Sequence, residues 1–148
     1  MKVVEKAFAY ITHGGRLLVF EHADFPEAGL QVPAGTILSG EPPEAAVVRE
    51  AREETGLVAF SAVVFVGTAE FDARRSGKDE IHRRHFFHLP VVGTVPERWR
   101  HHERDASDGT REPIAFDLYW LPLSTAAARL VADHGRLIPA LRVEPPGS

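Results

Sequence analysis

The chain has 148 residues, of which 44% are hydrophobic and 26% are charged, and its formal net charge at pH 7 is −4. This length is typical of one domain, which we expect to span residues 1–148, and the composition excludes an intrinsically disordered chain. The acidic balance disfavours a protein that coats nucleic acid, so no nucleic-acid partner is expected. The absence of cysteine excludes disulfides and thiolate metal sites.

Residues 1–10 contain three charged side chains and no apolar run of the length that a signal sequence needs. No other stretch approaches the roughly 20 apolar residues of a membrane-spanning helix. We therefore expect a cytoplasmic location and no membrane partner.

Turn-forming residues divide the first third of the chain into short elements. The predicted order is a strand over 3–12, a turn over 13–15, a hairpin partner over 16–20, a loop over 21–29 and a short strand over 30–32. Pro33 should end that short strand. A helix is predicted from Pro42 or Pro43 to Thr55, because proline is tolerated in a first helical turn and Gly56 is a typical C-terminal stop.

The rest of the chain is predicted to hold mostly strands. The order is strands over 63–71 and 81–92 joined by a polar loop over 72–79, a long loop around a short strand over 97–113, a strand over 114–121, a helix over 124–133 and a frayed tail over 144–148. Ser124 or Thr125 is the expected N-cap of the last helix. Strands on both sides of one central helix indicate a mixed α/β fold rather than a repeating βαβ series.

Three glutamates fall on one face of the predicted central helix. Glu50, Glu53 and Glu54 are related as i, i+3 and i+4, whereas Val47 and Ala51 lie on the neighbouring face, which would pack on a sheet. The carboxylates repel one another, and they lie near the helix C-terminus, where the helix dipole disfavours negative charge. A bound Mg²⁺ would relieve both effects, because it prefers oxygen ligands.

The hexapeptide Arg-Glu-Ala-Arg-Glu-Glu on its own favours a simpler interpretation. Glutamate-rich helix faces are common on protein surfaces, and Arg49 with Glu53 forms an ordinary i,i+4 pair. The residues that flank the hexapeptide therefore decide between a solvated helix face and a metal site.

The segment from Gly35 to Leu57 resembles the Nudix box, G-x5-E-x7-R-E-U-x-E-E-x-G-U, in which U is a bulky aliphatic residue. The matching positions are Gly35, Glu41, Arg49, Glu50, Glu53, Glu54, Gly56 and Leu57. Ala51 departs from the pattern, which weakens packing rather than chemistry. The resemblance implies a Nudix-type α/β/α sandwich with a mixed central sheet, a catalytic helix at about 43–55 and a second helix at about 124–133.

The resemblance also implies roles for the residues of the box. Glu50, Glu53 and Glu54 would bind Mg²⁺, with Mn²⁺ as a substitute, and Gly35 would offer its backbone carbonyl. Glu50 and Glu54 are the first choices as ligands, while Glu53 is either the next ligand or the carboxylate that helps to activate water. Arg49 would orient the carboxylates by a salt bridge and completes the catalytic set.

The reaction implied is attack of water on one phosphorus of a diphosphate linkage. Some Nudix enzymes take the general base from a loop outside the box. Candidates on the predicted loop are Glu103, Asp105, Asp108 and Glu112, of which Glu103 and Glu112 are retained. Glu41 is expected to be structural or to act in the outer sphere of the metal.

Histidines are frequent in the second half of the chain, but they do not predict a zinc site. His82 and His88 should point to one side of their strand and His85 to the other. Arg83, Arg84 and His85 are instead candidates for binding a substrate phosphate or base, with an exposed strand face as the alternative. The basic and aromatic run over 98–104 favours a surface loop near the active site over a nucleic-acid patch.

The marks that distinguish Nudix subfamilies are missing. Asp-Ala-Arg at 72–74 stands where ADP-ribose hydrolases often carry proline, the tyrosine of dinucleoside-polyphosphate types is absent nearby, and residues 17–33 show no coenzyme A signature. By elimination, the sequence favours a small-molecule nucleotide substrate, a nucleoside di- or triphosphate. A non-catalytic nucleotide sensor and an RNA 5′-end pyrophosphohydrolase stay open as alternatives, and so does a homodimer.

Overall fold

A computed structural model describes residues 1–103 and 113–142, which form one sheet of seven strands flanked by two α-helices. The strands are β1 (Lys2–His13), β2 (Arg16–His22), β3 (Ala34–Thr36), β4 (Val64–Asp72), β5 (Glu80–Pro90), β6 (Arg98–Glu103) and β7 (Ile114–Pro122). The α-helices are α1 (Pro43–Thr55) and α2 (Leu123–Arg129), and short 3-10 turns lie at Pro26–Ala28, Ala73–Ser76 and Ile138–Ala140.

The sheet is mixed and is organised around β1. Its order is β4-β5-β1-β2-β7-β6, with β1 and β5 parallel and the other neighbours antiparallel. On its other edge β1 divides its pairing, because Lys6 to Phe8 pair with β3, while Thr12 and His13 pair with β2. This divided strand places Gly35 of β3 opposite Ala7.

Each face of the sheet is covered by one helix, so the fold is the α/β/α sandwich that the sequence predicts. Ala7, Ala9 and Ile11 of β1 join a core cluster with Val47 and Ala51 of α1. The alternate residues of β1, including Phe8 and Tyr10, pack in a second cluster with Ala126 of α2. Side chains in a strand point to opposite faces in turn, so β1 contributes to both cores.

The ends of α1 follow from proline and glycine, as predicted. Pro42 is the N-cap residue in an extended conformation, and Pro43 opens the helix. Gly56 ends it with φ of 79°, in the left-handed region that favours glycine, and its N–H donates to Arg52. Ala51 is fully buried against the sheet, so the one departure from the box pattern lies in the core and not at the carboxylates.

The predicted strand over 30–32 is wrong, since Gln31 makes only an isolated bridge with Phe20. The pairing segment comes after Pro33 instead, because the Pro33 carbonyl accepts a hydrogen bond from the Ala9 N–H and directs the following residues along β1. Ala-Gly-Thr has little intrinsic strand preference, so tertiary pairing forms β3.

The last helix is shorter than the predicted 124–133, and neither Ser124 nor Thr125 is its N-cap. Pro122 occupies that position without a side-chain hydrogen bond. Beyond Arg129 the chain turns back onto the sheet, with φ of 49° at Ala132 and 59° at Asp133. Contacts with the core therefore override the helical pattern after residue 129.

Smaller departures concern the connections. The polar loop over 72–79 contains a 3-10 turn at Ala73–Ser76, and β5 ends at Pro90 rather than 92. The short strand expected within 97–113 is observed as β6. The tail over 144–148 lies outside the described residues. Among the described helices, none has the length and apolar content to cross a membrane.

His134 generates a prediction about stability. Burial lowers the pKa of its imidazole to about 3, whereas an unfolded histidine titrates near 6.5. Only the unfolded state therefore gains a proton as the pH falls from about 6.5 toward 3, and this group should lower the free energy of unfolding by about 2 kcal/mol between pH 7 and pH 5.

Denaturant unfolding of wild type and His134→Asn at both pH values measures this contribution. The variant keeps an acceptor for the Val32 N–H but cannot titrate, so it should lose less stability on acidification than wild type. The same change at exposed His102 should leave the wild-type pH dependence in place. Identical pH profiles for wild type and His134→Asn would contradict the prediction.

Candidate active site

Arg49 is the centre of the ion-pair network on α1. Its Nε and Nη2 donate to the two carboxylate oxygens of Glu41 at 2.8 and 2.9 Å. Nη1 donates to Glu50 at 2.8 Å and to Glu53 at 3.5 Å, and Nη2 also donates to the Thr36 carbonyl at 3.1 Å. One guanidinium thus fixes two glutamates of the helix, the loop before it and the end of β3.

Glu41 belongs to this network as a support of Arg49. The hydrogen bonds from Arg49, together with one from the Leu38 N–H, lower the pKa of Glu41 to about 2. The carboxylate therefore stays ionised and keeps the guanidinium in place, which agrees with a structural role.

Gly35 and Glu50 make the tightest contact of the site. A Cβ atom on Gly35 would lie 2.0 Å from Cδ of Glu50, so no other residue fits there while Glu50 keeps its position. Glu50 is 4% exposed. Burial raises the pKa of its carboxyl, against the opposing effect of Arg49. The strand backbone and this carboxylate thus meet where a bound ion could contact both.

Glu54 is buried one turn further along the helix. Its Oε2 accepts a hydrogen bond from the Ala34 N–H at 2.9 Å, which ties α1 to β3, and its Oε1 has no hydrogen-bond partner in the described part of the chain. Burial, followed by the charges of Glu50 and Glu103, raises the pKa of Glu54 well above its usual value.

Strand β6 adds a carboxylate from outside the box. The Trp99 indole N–H donates to the Thr55 carbonyl at 2.8 Å, and His101 Nε2 lies 2.8 Å from the Glu53 carbonyl. These contacts hold β6 against the C-terminal end of α1, where helix carbonyls lack internal partners. Glu103, at the end of β6, is consequently buried beside the helix.

Among the described residues, Glu50, Glu53 and Glu103 form a group that could hold a metal ion, with one oxygen from each within 4.8 Å of the others. Glu54 is not in that group, although its pKa responds to the charges of all three. A hard divalent cation fits this site, because the donors are carboxylate oxygens and the missing side chain of Gly35 lets the Glu50 carboxylate lie against the backbone of β3.

The loop position expected for Glu103 is wrong, since the residue lies on β6, but the structure does bring it to the acidic helix. Its spacing from the box gave no local signal, because the contact depends on how β6 docks against α1. The other candidates of that segment, Glu112, Asp105 and Asp108, lie outside the described residues.

The structure does not bring Arg83, Arg84 and His85 together. Arg83 and His85 both contact Glu5, at 3.1 and 2.8 Å, on the face of the sheet that carries α1. Arg84 points to the other face and is 4% exposed, so the exposed-face alternative does not apply to it. The predicted separation of the histidines is observed. His85 lies on the face of the sheet that carries α1, whereas His88 lies on the other face and contacts Thr12.

A cavity that the sequence did not indicate adjoins the site. It has a volume of about 200 Å³ and is lined by Lys6, Phe8, Gln31, Ala34, Gly35, His82, Arg84 and His134. Lys6 and Arg84 come from parallel neighbours that the register places opposite each other. No sequence motif joins them, because their pairing depends on the order of strands in the sheet.

Comparison with known proteins agrees with this geometry. The sequence matches the family described as NUDIX domain over residues 5–141. No curated protein matches the chain.

Solved structures share the fold. The Escherichia coli ORF135 protein is 27% identical, with a TM-score of 0.65 over 95% of this chain and 89% of its own. The MutT protein of Methanosarcina mazei is 18% identical, with a TM-score of 0.66 over 93% and 91%. The E. coli dihydroneopterin triphosphate pyrophosphohydrolase is 20% identical, with a TM-score of 0.61 over 92% and 91%. With the family match across most of its length, the chain is a member of the Nudix hydrolase family.

Proposed function

We propose that this enzyme hydrolyses a phosphoanhydride bond in a small nucleotide substrate, with a nucleoside di- or triphosphate favoured, and that it requires Mg²⁺, which Mn²⁺ can replace. The observation that carries the proposal is the meeting of Glu50, Glu53 and Glu103 within 4.8 Å. Three carboxylates this close are costly without a cation, and a cation there would attract phosphate. The structural neighbour that acts on dihydroneopterin triphosphate is compatible with a triphosphate substrate.

In the proposed arrangement Glu50 and Glu103 hold the metal, Glu54 offers the carboxylate oxygen that does not bond to the Ala34 N–H, and Gly35 offers its backbone carbonyl. Bound Mg²⁺ would neutralise phosphate charge and lower the pKa of the attacking water. Arg49 holds Glu50 in position by its 2.8 Å hydrogen bond.

Glu53 is the carboxylate we assign to proton transfer. Its side chain is 31% exposed, whereas that of Glu50 is 5% exposed, so Glu53 is the more accessible to substrate water. As water attacks one phosphorus, Glu53 accepts its proton, the bond from that phosphorus to the bridging oxygen breaks, and the other phosphate departs with that oxygen. A base of this kind contributes about 10² to 10⁴ in rate.

The two roles predict different effects of glutamine substitutions. Glu50→Gln should weaken metal binding and lower turnover by orders of magnitude. Glu53→Gln should lower kcat by about 10² to 10⁴ with a much smaller effect on the metal concentration needed for half activation. Steady-state kinetics in a titration of Mg²⁺ or Mn²⁺ measures both.

Glu44→Gln is the matched control, because Glu44 is exposed in the first turn of the same helix and outside the carboxylate group. It should retain wild-type kinetics. Wild-type turnover in Glu50→Gln would contradict the metal assignment, and equal loss of metal affinity in Glu53→Gln would make that residue a ligand rather than the base.

Gly35→Ala tests the close approach of β3 to the acidic helix. The added methyl group must displace the Glu50 carboxylate, so metal affinity and turnover should fall together while the protein stays folded. Gly135→Ala is the control, because its Cβ would make ordinary contacts, at 3.4 Å from Ala127 and 3.5 Å from Ile138. Unchanged metal affinity in Gly35→Ala would exclude Glu50 from the metal site.

A nucleotide panel with Mg²⁺ separates the proposal from its alternatives. Nucleoside di- and triphosphates, nucleotide sugars, dinucleoside polyphosphates and 5′-triphosphorylated RNA are assayed for phosphate release and product identity. Nucleotide binding without turnover would support a sensor. Preferred cleavage of RNA, with binding that weakens steeply as salt rises, would support RNA 5′-end processing.

A further inference from the structure

The cavity beside Gly35 is lined by positively charged side chains, which lie on the face of the sheet opposite the acidic helix. Gly35 and Ala34 form one part of its wall, and Lys6, Arg84 and His134 form another. Gly35 also contacts Glu50, so this one residue borders both the cavity and the carboxylate group. Its volume of about 200 Å³ is below the roughly 300–1,000 Å³ that encloses a drug-sized ligand, which suits a phosphate-sized group.

Arg84 is held in a way that leaves hydrogen-bonding capacity unused. Its guanidinium carbon lies 4.6 Å from the ring centre of Phe8 and 4.0 Å from that of Phe71. The Nη1 group donates to the Ala132 carbonyl, but the buried Nε has no hydrogen-bond partner. Aromatic contacts can stabilise a buried cation, yet they leave this in-plane donor unsatisfied.

Lys6 brings a second cation to the same wall. Its Nζ donates to the Thr36 hydroxyl at 2.9 Å, and burial lowers the pKa of its ammonium group. Within residues 1–103 and 113–142, no carboxylate lies within 4.0 Å of Lys6 or Arg84, although Glu50, Glu80 and Asp133 act on them from further away. A buried arginine and a half-buried lysine without a close counter-charge are costly unless an anion joins them.

His134 adds a neutral donor to the cavity. The Val32 N–H donates to its Nδ1 at 3.2 Å, so the neutral ring carries its proton on Nε2. That Nε2 has no partner in the described part of the chain. One neutral and two cationic donors therefore line a space that borders the carboxylate group.

We propose that Lys6 and Arg84 form an anion subsite that binds a substrate phosphate beyond the two of the scissile diphosphate linkage, so that the enzyme prefers nucleoside triphosphates over nucleoside diphosphates linked to a neutral sugar. This inference rests on the proposed hydrolase function and narrows its substrate class. Arg84 presents donors of fixed direction to phosphate, and Lys6 contributes a point charge.

Anion binding can be measured without the metal. In EDTA, inorganic pyrophosphate should raise the Tm of the wild-type protein above its value in sodium chloride of equal ionic strength. Lys6→Met and Arg84→Met should each lose that rise, and Arg84→Lys should recover part of it. Lys6→Met alone decides the test if Arg84→Met does not fold.

Two variants control for the loss of a positive charge elsewhere. Lys2→Met removes an exposed lysine from the same strand, and Arg98→Met removes an exposed arginine that also lies over a ring, 4.3 Å from the centre of Tyr119. Both should keep the pyrophosphate effect. Absence of the effect in wild type, or its equal loss in all variants, would overturn the subsite.

Activity then tests substrate choice. With Mg²⁺, Lys6→Met should lower kcat/KM for a nucleoside triphosphate by about 10- to 100-fold more than for a nucleoside diphosphate sugar, the range expected for one charge-assisted hydrogen bond. An unchanged ratio between these substrates would overturn the inference while leaving the hydrolase proposal intact. No turnover of any substrate, with the pyrophosphate effect present, would overturn the hydrolase proposal instead.

Discussion

The contact between the Gly35 backbone and the Glu50 carboxylate constrains the rest of the site. A single Cβ at position 35 would overlap Glu50, so β3 and α1 approach more closely than ordinary side chains allow. The approach is accompanied by the divided pairing of β1, with β3 along one segment and with β2 along another. The Ala34 N–H also donates to Glu54, which fixes the helix against the strand. The sheet topology thus helps to position one buried carboxylate, that of Glu50.

Electrostatics explains why this arrangement needs so much support. Four glutamates meet near a helix C-terminus, where neither their mutual repulsion nor the helix dipole favours charge. Arg49 offsets part of the repulsion at Glu50 and Glu53, while Glu54 responds with a raised pKa. A site of this kind lowers the stability of the fold, and it strongly favours the binding of a cation.

Local spacing predicts α1 and its carboxylates well, because the helical period and the signals of Pro43 and Gly56 lie within the segment itself. The fold class follows from the same segment through its resemblance to the Nudix box. Strand β3, the docking of Glu103 and the burial of Arg84 are different, since each depends on residues distant in sequence. Arg84 in particular looks like a surface residue in sequence, and only the two phenylalanine rings around it reveal a buried cation.

Gly35 lies between two halves of the site, the acidic half formed by the carboxylate group and the cationic half formed by the cavity. It contacts Glu50 and also lines the cavity with Lys6 and Arg84, so a short chain passing over it could reach both halves. A triphosphate suits that path, because the scissile diphosphate linkage could meet a cation held by the carboxylates while the third phosphate meets the fixed cations of the sheet. A nucleoside diphosphate linked to a neutral sugar has no third phosphate and would leave Lys6 and Arg84 without a close counter-charge. The charge pattern of the site therefore favours a substrate with a phosphate beyond the scissile diphosphate linkage, which the box residues alone do not specify.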